Sequence, residues 1–152
     1  MRTYTMLSAF GSAAACLLLS APAGADNCNG RFSNVTISAE VLEVGKGHTV
    51  TYFVARGSAT SDNSPHNGVG ECGGYALATP DGKVRMAGVC ARKDKDGNSW
   101  SDEWGLDAGA DKGWWRMSGG TGTFAGKKNS GWWQPVAEDG KTTMGHWGGN
   151  CQ

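Results

Sequence analysis

SGGTGTFAGKKNSGWW, residues 118–133, is the stretch from which the fold is read. Glycines crowd around one phenylalanine, and a Gly-Lys-Lys-Asn-Ser-Gly run then leads into paired tryptophans. Glycine is used where backbone turns with positive φ or passes close to another segment. A lone Phe124 inside such a run reads as an anchor, pinning an irregular segment against a core.

Working outward, short alternating segments lie on both sides. Residues 34–44 (NVTISAEVLEV) set Val35, Ile37, Ala39 and Val41 against Thr36, Ser38 and Glu40, the period of a half-buried strand. Gly45-Lys46-Gly47 turns the chain into the β-branched and aromatic residues 48–56. Residues 59–67 read as a polar loop. Residues 70–78 and 83–92 flank Pro80-Asp81-Gly82, a three-residue hairpin loop with Gly82 left-handed. Asp96-Gly97 and Asp139-Gly140 mark two further hairpins. Strands are predicted near 99–106, 113–117, 131–136 and 142–147. That makes eight strands and no segment periodic enough for a helix. Short sequential connections predict an all-β, antiparallel up-and-down barrel, since closure removes exposed edges.

Gly120, Thr121, Gly122, Phe124 and Gly126 match a Gly-Thr-Gly-x-Phe-x-Gly signature. On these residues the chain resembles the allene oxide cyclase-like and dirigent-like β-barrels of the calycin-like group. The resemblance covers one stretch in motif and most of residues 26–152 in layout. It implies a barrel that acts by shaping a cavity, either as a templating cyclase or isomerase or as a simple ligand carrier. Gly120, Gly122, Phe124 and Gly126 transfer fold from that resemblance and not activity.

Residues 1–25 read as a secretory signal peptide: Arg2, an apolar run over 6–19, and Ala23-Gly24-Ala25 as a small-x-small cleavage site. The apolar run is short for a membrane span, and no later segment competes. Residues 26–152 are then one domain in the periplasm or outside the cell. Without Arg2 the balance is thirteen basic against fourteen acidic residues. Near-neutrality without a Lys/Arg cluster argues against a nucleic-acid partner.

Cys28, Cys72, Cys90 and Cys151 remain after the leader, an even count that implies two disulfides in an exported domain. Three pairings exist. In the Pro80 hairpin register Thr79 faces Lys83, which sets Cys72 directly across from Cys90. Cys28 and Cys151, at the two ends of the domain, would staple first strand to last. The scattered spacing suits no metal site.

All seven tryptophans lie between positions 100 and 147. Neighbours on a strand point to opposite faces, so one of Trp114/Trp115 and one of Trp132/Trp133 must face outward. Trp100 and Trp104 share a face, with Asp102 between them. A two-residue Asp139-Gly140 loop would set Trp133 against His146 and Trp132 against Trp147. The expected lumen is lined by Trp100, Trp104, Trp115 and Trp133, with His146 as the polar handle. No H-E-x-x-H, G-x-S-x-G or Walker motif is present, so no catalytic residue, metal or cofactor is assigned. Asp94 and Asp96 read as turn residues, not as a calcium loop. The function expected is non-covalent binding of a small apolar or aromatic molecule. The alternatives are the templating enzyme and a glycan- or surface-binding module using the outward tryptophans.

Overall fold

A computed structural model describes residues 26–152, and the leader expectation concerns residues 1–25, which lie outside them. Eight strands are described: β1 (Cys28–Glu43), β2 (Thr49–Ser61), β3 (Gly68–Ala78), β4 (Val84–Lys93), β5 (Ser99–Leu106), β6 (Gly113–Gly120), β7 (Ser130–Glu138) and β8 (Thr142–Asn150). Each pairs antiparallel with its neighbour in sequence, and β8 returns to β1, closing the barrel. No helix among the described residues is long and apolar enough to cross a membrane.

The turns form for the reasons their residues imply. Gly82 has φ 78° in the Pro80 hairpin, and its N–H donates to the Thr79 carbonyl at 2.9 Å. Cys72 and Cys90 are consequently direct partners and are bonded to each other. Cys28 and Cys151 form the second bridge, across the seam between β1 and β8. Two disulfides of this kind belong to an oxidising compartment.

Three expectations are corrected. First, β1 begins six residues earlier than predicted, and β2 runs to Ser61, which shortens the polar loop to 62–67. Ladder pairing to β8 recruits residues 28–33, whose Asn, Gly, Arg and Ser carry no strand signal of their own. Second, the alternation along β1 is real, but Val35 and Ile37 face outward, and only beyond the bulge does Ala39 come opposite the lumen-facing Phe53. Val35 is 44% and Ile37 51% exposed, whereas Asn34 and Thr36 point into the barrel. Beside Phe32, the inward residues of this wall are the polar Asn34 and Thr36, which face the large rings of the far strands across the cavity. A bulge between Thr36 and Ser38 takes up Ile37.

The third correction is the β7–β8 register. Asp139 closes the turn with Thr142, not with Gly140 inside the loop, and its carboxylate accepts the Lys141 and Thr142 N–H groups at 3.2 and 2.7 Å. The loop residues are therefore Gly140 (φ 85°) and Lys141. A bulge between Pro135 and Ala137 then sets Trp133 opposite Trp147 and Gln134 opposite His146. His146 lies on the outer wall, exposed.

One end of the barrel is closed. The loop 62–67, the segment 121–129 and the Cys28–Cys151 bridge all lie there. Phe124 sits at the end of a single 3-10 turn, Gly122–Phe124, and is 1% exposed. Gly122 (φ 54°) and Gly126 (φ 72°) let the chain enter and leave that turn. The opposite end carries the turns 44–48, 79–83, 107–112 and 139–141, where the inward residues are only partly buried.

Candidate functional site

The lumen holds a cavity of about 160 Å³. Its aromatic walls are built in two tiers. At the closed end Trp100, Trp115 and Trp147 surround His66, with Phe124 beneath. Toward the open end Trp104 meets Trp133 edge to face at 6.0 Å, flanked by Phe53 and Phe32. Such T-shaped contacts match the positive ring edge to the negative ring face.

Glycines on facing strands make room for these rings. A Cβ at Gly113 would stand 2.2 Å from Trp133 Nε1, and one at Gly88 2.5 Å from Trp104. The indoles therefore lie along the wall, and the space at the axis stays open. This is the structural use of much of the chain's glycine.

Of the predicted lining residues, Trp100, Trp104, Trp115 and Trp133 all face this cavity, while His146 does not. Trp147 takes part in the wall instead, as the corrected register requires. The polar side chains of the cavity are Arg92, Asp102, His66, Asn34, Thr36 and Thr143. Asp102 was legible in principle, since it lies on the same face of β5 as Trp100 and Trp104. Arg92 and His66 had no local signal, because only pairing and loop closure bring them inside.

Arg92 Nη1 donates to Asp102 Oδ2 at 2.6 Å, and Trp100 Nε1 donates to the same oxygen at 3.2 Å. Both charged side chains are about nine-tenths buried. Burial pushes the Asp102 carboxyl above its usual range, partly offset by Arg92, and pulls the Arg92 guanidinium below its own. The pair contributes no net charge to the cavity.

His66 is held as a neutral imidazole. Asn129 Nδ2 donates to His66 Nε2 at 3.0 Å, because the Asn129 Oδ1 is occupied by the N–H of Gln152 at 2.8 Å. Nε2 is thus the acceptor, and Nδ1 carries the proton toward Ser64 Oγ at 3.1 Å. Ser64 Oγ donates in turn to Ser61 Oγ at 2.7 Å. Burial, reinforced by the positive charge of Arg92, lowers the His66 pKa to about 4.

The tryptophan N–H groups separate wall from handle. Trp100, Trp115, Trp133 and Trp147 donate to Asp102, Gly148 O, Trp114 O and Thr60 O respectively. Trp104 Nε1 has no partner among the described residues, and neither has Asp102 Oδ1 or Asn34 Oδ1. Buried polar atoms are nearly always hydrogen-bonded, so these three are the atoms of the cavity wall with unused hydrogen-bonding capacity.

No family model matches the chain, and no curated protein matches it in sequence. Solved structures share its architecture. One is a pterocarpan synthase dirigent protein, with a TM-score of 0.51 and 13% identity over 82% of this chain and 83% of that one. Pyocyanin demethylase aligns over 78% of this chain and 98% of its own, at 15% identity and a TM-score of 0.46. Identities this low speak for fold alone, and the chain has the closed-barrel fold seen in the dirigent protein.

Proposed function

We propose that the protein is exported, to the periplasm or beyond the cell, and there binds a small, largely apolar or aromatic molecule non-covalently inside its barrel. One observation carries this reading: an aromatic-walled cavity of about 160 Å³ that keeps three polar atoms unpaired. Apolar cavities of about 150 Å³ hold a benzene-sized guest. Here the open end accommodates a larger part of the same molecule. Because Arg92 and Asp102 cancel, a neutral guest is favoured, with one hydroxyl or comparable group to meet Asp102 Oδ1 or Trp104 Nε1.

The test is titration with 1-naphthol, followed through tryptophan emission. Saturable quenching is expected, lost in Trp133→Ala and retained in Trp132→Ala. Retention in the first variant together with loss in the second would defeat the lumen assignment. A second reading, the templating cyclase or isomerase, draws support from the charge pair on the cavity wall. Native mass spectrometry of the chain from its exported fraction separates the two. A guest released unchanged marks a carrier, and a guest converted during incubation marks an enzyme.

A further inference from the structure

Trp114 on β6 and Trp132 on β7 are direct partners across the ladder, and both project from the outer wall. Their indoles lie against the sheet and spread away from each other. Trp114 covers Gly105 on β5 and Trp132 covers Gly148 on β8; a Cβ on these glycines would stand 2.7 and 2.8 Å from the rings. The result is an aromatic strip across four strands, on the order of 14 Å wide at the usual strand spacing. Trp114 is 40% exposed, although burying it inside the barrel would have stabilised the domain.

The rim of the strip is polar and balanced. Arg116 pairs with Glu103, its Nε donating to Oε2 at 2.8 Å. Asp26 accepts the Trp132 Nε1–H at 2.6 Å, and Lys112 Nζ lies 4.2 Å from the centre of the Trp132 ring. The two cations and two anions that touch or flank the rings, Arg116, Lys112, Glu103 and Asp26, balance one another.

We propose that this strip is a platform for a neutral polysaccharide of equatorially linked pyranose rings. Such a ring presents a flat patch of axial C–H groups on each face, which stacks on an indole. Its edge hydroxyls both donate and accept, as a rim mixing carboxylate, guanidinium and ammonium groups requires. Lys112 swings off Trp132 on its flexible stem and donates to a hydroxyl. This site is separate from the lumen and does not depend on what the lumen holds.

The experiment is retention of the exported chain on microcrystalline cellulose and on chitin, with Trp114→Ala and Trp132→Ala beside it. Retention of the wild type on at least one matrix is expected, falling about tenfold in either variant, the scale of one lost aromatic contact. In parallel, cellohexaose or chitohexaose is added to the ¹⁵N-labelled wild type, which needs no variant to fold. The indole N–H resonances of Trp114 and Trp132 are expected to move while those of Trp104 and Trp133 stay. No retention on either matrix, retention that survives both substitutions, or shifts confined to the lumen tryptophans would each overturn the proposal.

Discussion

His66 illustrates how a single residue acquires its character from position. In the chain it is one of three histidines in polar surroundings; in the barrel it is the centre of the closed end, 4% exposed. Its folded pKa of about 4 lies below the ordinary 6.5, so the unfolded chain takes up the proton first. Stability is therefore full above pH 6.5 and falls as pH drops from 6.5 toward 4. The loss attributable to His66 reaches about 3 kcal/mol. Urea denaturation across that range checks this: the acid-side loss should be smaller in His66→Gln than in the wild type, although that variant starts lower at pH 7. A wild-type curve that is flat between those pH values would remove the neutral assignment. Asp102 makes the complementary point. Its face was readable from its place between Trp100 and Trp104, but its partner Arg92 comes from another strand and was not.

At the scale of the element, the strands of the second half carry the tryptophans, and glycines on the neighbouring strands give them room. Trp133 opposite Gly113 and Trp104 opposite Gly88 are cross-strand pairs in which one partner must lack a side chain, and the Trp104 ring reaches on over Gly74 of β3. Gly113→Ala places a methyl group 2.2 Å from Trp133 Nε1, so either the indole or the strand must move. A loss of about 1–3 kcal/mol is expected, the usual result of overpacking. The change should also alter guest binding, since the indole moves toward the axis. Gly140→Ala, strained only through its positive φ in an open turn, should leave guest binding unchanged. Denaturation and naphthol titration of the two variants check both statements. Bulges at Ile37 and Val136 belong to this scale too. Each shifts a strand by one residue, and the second is why His146 faces outward. Period-two reading has no means of registering such an insertion, because the sequence on both sides of a bulge still alternates.

For the whole molecule, the two disulfides have different leverage. Cys72–Cys90 spans 18 residues and Cys28–Cys151 spans 123. Loop-closure entropy assigns them roughly 3 and about 5 kcal/mol respectively. Replacing Cys28 and Cys151 by serine should therefore cost more than replacing Cys72 and Cys90, as measured by denaturant midpoints. The excess should be largest under conditions where the β1–β8 seam opens first, which hydrogen exchange on residues 28–35 would reveal. Equal losses would indicate that the unfolded chain retains enough structure to hide the loop length.

Alternation, turn chemistry and cysteine position were sufficient for the all-β class, the eight strands, the Cys72–Cys90 pairing and the barrel's closure. Each depends on near neighbours or on the chain's two ends, where spacing alone constrains the answer. Phe124 as an anchor was legible for the same reason, a single large ring in a glycine run. The tertiary structure decided the rest: which face of β1 is outside, that Trp147 and not His146 enters the lumen, and that Arg92, Asp102 and His66 meet there. Those outcomes depend on bulges and on competition for a small interior, in which seven tryptophans claim space and only five fit. Volume is shared by the whole barrel, and no local stretch of sequence contains it.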